Sequence, residues 1–186
     1  IMGKILPGVF IAFENPKGGV GKSTITALFA GYVHSISKDT GLTISVVDID
    51  DAQNTIGKMR LYDAEQEENI EEEYQVLNIS SAEFTASIEF LKETFDIILV
   101  EFPGSLKQDG VIQTLMMMDI VINPFETSPI SVMHTLNFYN YYKENILSKR
   151  EALGYKTVVR GLPNRVLSNV LEYKELIAEQ SNLPFE

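Results

Sequence analysis

The chain has 186 residues, 45% of them hydrophobic, with mean hydropathy near zero and a formal charge of −11. That length buries a sizeable core, and the composition is that of a globular protein rather than a disordered or fibrous one. Zero cysteines exclude disulfides, thiolate metal sites, thiol nucleophiles and cysteine-held iron–sulfur clusters together.

No run reaches eighteen apolar residues, so no integral membrane segment is expected. The N-terminus lacks the charged and apolar regions of a signal peptide, and the expected location is cytoplasmic. Ile1-Met2-Gly3 reads as an appended start. The chain stops soon after Leu183-Pro184 with no closing element in sight, so a shortened C-terminus is expected.

In chain order, Val9–Glu14 is an apolar run entering a glycine-rich loop, and Ser23–Ser37 reads as the helix that follows. Leu42–Val47 is a β-branched strand ending at Asp48. The acidic segment Tyr62–Tyr74 reads as a surface connection to a strand at Gln75–Ile79. Ser80 and Ser81 are N-cap candidates for a helix through Thr94. Ile97–Val100 is a buried strand, and Ile120–Asn123 is another, stopped by Pro124. An amphipathic helix over Ser128–Arg150, a strand at Lys156–Arg160 and a helix over Ser168–Gln180 complete the reading. Continuously apolar strands alternating with helices predict an α/β fold: a mostly parallel sheet covered on both faces, as one domain over residues 1–186.

The chemistry gathers in three segments. Asn15-Pro16-Lys17-Gly18-Gly19-Val20-Gly21-Lys22-Ser23-Thr24 follows a strand and opens a helix, as a phosphate-binding loop must. Backbone N–H groups there cradle phosphates, the helix N-terminus adds partial positive charge, and the lysine and hydroxyl reach phosphate and metal. Pro16 replaces the first glycine of the ordinary pattern, and Lys17 is one cation more than that pattern needs. Asp48 and Asp50 close the second strand, at the sheet edge where such folds bind ligands. One carboxylate there can steady a hydrated Mg²⁺ while the other orients a water; capping of the next helix is the alternative. Glu101 closes the strand at Ile97–Val100 where an aspartate is usual, so its longer arm must retract, act through water or take another role. Asp96, at the opposite strand end, reads as a turn residue. His34 and His134 lack a partner motif and read as surface or core histidines.

With these segments in place, the chain resembles the ParA/MinD family of deviant Walker ATPases, a P-loop NTPase family. The resemblance rests on Lys17–Thr24, on Asp48-x-Asp50 with Gln53, and on Ile97–Glu101 followed by Pro103-Gly104-Ser105. Pro124, Ser128-Pro129 and Leu162-Pro163-Asn164-Arg165 add to it. It implies two protomers that sandwich ATP and hydrolyse it to ADP and phosphate, with Lys17 reaching the phosphates of the other protomer. Lys22 would hold the β/γ-phosphates, Thr24 the α-phosphate, and Ser23 the Mg²⁺. Gly18, Gly19, Val20 and Gly21 would form the cradle. Asp50 would position the water, Asp48 and Glu101 would stand on the metal side, and Asn164 with Arg165 would meet the adenine. The resemblance implies partitioning or positioning of DNA (plasmid, chromosome or mobile element), with slow turnover stimulated by a partner protein.

Lys143, Lys149, Arg150, Lys156, Arg160, Arg165 and Lys174 outnumber Glu144, Glu151 and Glu172 in the same stretch. Solvated surface is the plain reading, and a patch for non-specific DNA is the functional one. Two other functions share the loop: a MinD-like membrane positioner, and a nucleotide-gated adaptor with little hydrolysis. The first needs a basic amphipathic helix, which Glu172, Glu175 and Glu179 oppose. A reductase of the iron-protein type is excluded by the missing cysteines.

Overall fold

The computed structural model describes residues 7–50, 55–59, 74–166, 171–178 and 183. Six parallel strands form one sheet: β1 (Val9–Phe13), β2 (Ile44–Asp48), β3 (Gln75–Asn78), β4 (Ile97–Glu101), β5 (Ile120–Phe125) and β6 (Val158–Pro163), in the order β3-β2-β4-β1-β5-β6. The central strands are apolar on both faces because helices cover both. Phe10, Ala12, Ile98, Val100 and Val121 face one core with Phe84, Leu91, Phe138 and Tyr142. Ile11, Val46 and Leu99 face the other, with Ala30, Val33 and Ile56.

The connecting helices are α1 (Lys22–Thr40), α2 (Ser81–Thr94), α3 (Val111–Leu115), α4 (Pro129–Tyr142), α5 (Ser148–Ala152) and α6 (Leu171–Ala178). Residues 55–59 form a further helical turn. Ser80 caps α2 in a reciprocal box: its hydroxyl accepts from the Glu83 N–H at 3.3 Å while Glu83 accepts from the Ser80 N–H at 2.8 Å. Gly41 ends α1 in the left-handed region, its N–H donating to Ser37. The helix expected over Ser128–Arg150 is a rod of α4 and α5 joined by a wider π-type turn at Lys143–Leu147.

Two strand expectations change. Pro124 does not stop β5, which runs on through Phe125 and pairs Pro124 with Leu162 and Phe125 with Pro163. Parallel ladders alternate sides residue by residue. Ile122 faces β1, accepting from the Glu14 N–H at 2.9 Å, so the N–H that Pro124 lacks also falls on the β1 side, where β1 has already ended. β6 likewise begins two residues later and ends three later than expected, and carries Pro163, which an edge strand tolerates. The acidic cluster from Asp63 to Glu73, the segment Asp51-Ala52-Gln53 and the ends of the helix expected over Ser168–Gln180 lie outside the described residues.

β4 sits between β2 and β1, and β5 on the far side of β1. Chain direction across the sheet therefore reverses beside β1, and the crevice at the carboxyl end of that strand is where an α/β sheet binds ligands. At the opposite edge, Asp96 is more than a turn residue. It is fully buried and its carboxylate accepts from the Thr43 N–H at 2.9 Å and the Thr43 hydroxyl at 2.8 Å, joining the starts of β2 and β4.

Candidate functional site

A cavity of about 400 Å³ opens at the crevice beside β1. It is lined by the glycine loop (Gly18, Gly19, Gly21, Lys22, Ser23, Thr24), by Asp50, Thr55 and Met59 after β2, by Glu101, Phe102 and Gly104 at the end of β4, and by Arg165 after β6. Gly18 and Gly19 have no atom within 4 Å of where a Cβ would stand. Their open side is space for a ligand approaching the backbone. Gly21 caps α1 at φ 91°, a conformation other residues resist, and a Cβ there would come within 2.6 Å of Asn164 Nδ2.

Asparagines brace the loop. Asn15 is fully buried; its amide donates to Pro124 O at 3.0 Å and to the Thr135 hydroxyl at 2.8 Å, while its Oδ1 accepts from the Lys17 N–H at 2.9 Å. Asn164 donates from Nδ2 to Val20 O at 2.8 Å and from its backbone to Phe125 O at 2.7 Å. It thus ties the end of β6 to the outside of the loop. Arg165, rather than Asn164, lines the cavity, and does so at φ 55°, a strained value for a residue with a Cβ.

The two lysines part company. Lys22 is 9% exposed and donates to Asn15 O at 2.9 Å. Lys17 does not line the cavity; its side chain is 27% exposed and donates to Glu126 Oε2 at 2.8 Å. Arg165 Nη1 reaches the other oxygen of Glu126 at 3.5 Å. The hydrogen bond from Lys17 is the main cause holding the Glu126 carboxyl below its ordinary pKa, with Arg165 adding to it.

Among the carboxylates, Asp50 lines the cavity and is nearly buried. Asp48 sits behind it. It is fully buried, with one oxygen accepting from the Asp50 N–H at 3.0 Å and the other from the Ile56 N–H at 3.2 Å. These two bonds tie Asp48 to the turn that presents Asp50. Glu101 is folded back against α1, accepting from the Ser23 hydroxyl and, at 2.8 Å, from the Thr26 hydroxyl. Burial pushes its pKa up to about 6; the two hydroxyl bonds and Lys22 pull it down, and Asp48 adds to the rise.

Glu14 is the polar end of the apolar run that starts at Val9. It is fully buried beneath the loop, and neither carboxylate oxygen has a hydrogen-bond partner. Burial raises its pKa to about 8 and Glu101 adds to the rise, while the charge of Lys22 and the nearby Asn15 backbone oppose it. A charged residue closing an apolar strand directly before a glycine loop was the available signal.

Ser23 with Glu101 beside it offers hard oxygen donors, the type Mg²⁺ accepts when it shares its shell with substrate phosphates and water. No cluster of three or more acidic, histidine or cysteine side chains fit to hold a metal alone occurs among the described residues. The donor set therefore fits a metal delivered with a nucleotide.

Three comparisons bear on the fold. A plasmid partition protein from Borrelia burgdorferi bound to AMPPNP matches at TM-score 0.65 and 19% identity, over 97% of this chain and 84% of its own. The pNOB8 ParA bound to nonspecific DNA matches at TM-score 0.63 and 19% identity, over 97% and 77%. Cobyrinic acid a,c-diamide synthase from Mycobacterium smegmatis with ADP and magnesium matches at 0.63 and 17%, over 94% and 82%. No protein-family model and no curated protein matches the sequence. The chain has the α/β P-loop fold of the ParA-type ATPases.

Proposed function

We propose that the protein is a ParA-like ATPase: an ATP-dependent dimeric switch that partitions or positions DNA and hydrolyses ATP to ADP and phosphate. The observation that carries this reading is the separation of the two lysines. Lys22 is buried inside its own cavity, whereas Lys17 stands outside it, half-exposed, with no neighbour in that cavity to serve. A lysine so placed suits the nucleotide of a second protomer.

In this reading the loop amides and Lys22 hold the triphosphate and Arg165 stands at the base or ribose. Asp50 orients the attacking water. Ser23 and Glu101 would hold Mg²⁺, which when bound neutralises charge on the phosphate oxygens. Phosphoryl transfer depends mostly on positioning and charge neutralisation, so a cation arriving from a second protomer makes turnover conditional on dimerisation.

Size-exclusion chromatography with ATP and Mg²⁺ tests the reading. Asp50→Ala should accumulate a dimer, because nucleotide binds but is not consumed, and Lys17→Ala should stay monomeric or hydrolyse poorly. A wild type that never dimerises, with Asp50→Ala no different, rules the sandwich out.

The adaptor reading keeps one specific support. Both oxygens of Glu101 are engaged by α1 hydroxyls, which favours nucleotide binding over rapid hydrolysis. Steady-state phosphate release, with and without candidate partner proteins, separates the two. No helix among the described residues is long and apolar enough to cross a membrane.

A further inference from the structure

Glu126, on the loop between β5 and α4, is the counter-ion of Lys17 within one chain. Its two oxygens are divided between two cations from different parts of the molecule: Lys17 at 2.8 Å from the glycine loop, and Arg165 at 3.5 Å from the end of β6. The carboxylate is itself placed by the fold. The Glu126 N–H donates to the Ser131 hydroxyl at 3.2 Å in the first turn of α4, and Phe125, just before it, accepts from the Asn164 N–H. Lys17 is anchored at its backbone by Asn15. Both ends of the pair therefore rest on ordered elements, and Lys17 Nζ is drawn toward β5 of its own chain.

We propose that Glu126 acts as a latch on Lys17, holding it back from the nucleotide of a second protomer, and that Arg165 couples the latch to occupancy of the cavity. This rests on the dimeric reading above and names a regulation of the same site. A lysine already paired must give up that pair to cross an interface, so the contact sets the threshold for association. Arg165 shares the carboxylate and also lines the cavity in a strained backbone conformation. A ligand that engages Arg165 removes one of the two charges that fix Glu126, which loosens the carboxylate as nucleotide arrives.

The latch is partly solvent-exposed, so its strength is that of a surface pair, a factor of up to about fivefold in an equilibrium constant. A symmetric dimer releases two of them, giving roughly 2- to 25-fold in the dimerisation constant. The test is sedimentation of wild type, Glu126→Gln, Lys17→Ala, the double variant and Asp50→Ala with Mg²⁺ and a non-hydrolysable ATP analogue. The proposal requires Glu126→Gln to dimerise at lower protein concentration than wild type, and the double variant to behave like Lys17→Ala. If wild type and Asp50→Ala dimerise but Glu126→Gln does so equally or less well, the latch is wrong and the dimeric switch stands. If none of them dimerises, the dimeric reading fails and takes the latch with it.

A second measurement needs no dimer. Amine acylation of the nucleotide-free protein, read by mass spectrometry at Lys17, should be several-fold faster in Glu126→Gln, because the carboxylate 2.8 Å away shields the amine from the reagent. Equal rates in a variant that melts like wild type overturn the cis contact.

Discussion

A carboxyl with no partner, sealed beneath a phosphate loop, is the least comfortable residue in this molecule. Glu14 loses its hydration on folding and gains no hydrogen bond for either oxygen, so folding favours its neutral form. With a folded pKa near 8 against 4.5 in the open chain, the stability it allows is complete below about pH 4.5. That stability is lost as the pH rises through 8. Glu14→Gln keeps the shape and removes the titration. In nucleotide-free protein the variant should therefore gain on wild type between pH 5 and pH 9, by on the order of 10 °C in melting temperature. Parallel melting profiles across that range would count against the account. Glu101 titrates lower, near 6, and its two hydroxyl partners make it the better satisfied of the pair. Neither environment was legible in the sequence. Residue type announces a carboxylate, but burial and partners are set by strands that meet only in the sheet.

At the scale of elements, the junction of β1, the glycine loop and α1 explains why some glycines are structural and others are for the ligand. Gly21 combines φ 91° with Asn164 Nδ2 only 2.6 Å from the place of its Cβ. Gly21→Ala should break the bond from Asn164 to Val20 O and cost roughly 1–3 kcal/mol in denaturant unfolding. Gly18→Ala meets nothing within 4 Å and should leave stability within about 0.5 kcal/mol while weakening binding of a fluorescent ATP analogue. Equal stability losses in the two would refute the distinction. The loop's place between strand and helix was readable from its spacing, as was a cap at Ser80 or Ser81, because both depend on neighbours in the chain. The bounds of β5 were not. Whether a proline ends a strand depends on which side its missing N–H faces, and that is decided by where the neighbouring strand stops. The partners of Asp48 are hidden for a similar reason: a carboxylate at a strand end can bond backbone N–H groups, and only the turn after β2 brings those of Asp50 and Ile56 to it.

Across the whole molecule, a charge of −11 and a locally basic stretch between Lys143 and Lys174 pull in opposite directions on DNA. The basic stretch is smaller than the sequence implied, because Arg150 leaves it. That guanidinium is 5% exposed and donates to Met116 O and, at 3.4 Å, to Asp119, over the ring of Tyr155. Lys143, Lys149, Lys156, Arg160 and Lys174 remain exposed. If about four phosphates are neutralised per dimer, affinity of the ATP-loaded protein for arbitrary duplex DNA should fall about 100-fold between 50 and 200 mM salt. Replacing Lys149 with alanine, which removes one lysine from each protomer, should reduce that slope by about two. Salt-independent retention, or none at all, would remove DNA from the function and leave the nucleotide switch untouched.

One consequence of Pro124 reaches back to the start of the chain. The ladder between β1 and β5 would advance next by an N–H from residue 124 to Glu14 O, and then by an N–H from residue 16 to Pro124 O. Both donors are prolines. The carbonyls they leave vacant are taken by side-chain amides, Glu14 O by Asn123 Nδ2 at 2.6 Å and Pro124 O by Asn15 Nδ2 at 3.0 Å. Two strands that would otherwise zip onward are stopped from both sides, and the stop is sealed by asparagines that do not propagate it. Pro16, which displaces the usual first glycine, thereby keeps the glycine loop out of the sheet and its amides free to face the cavity.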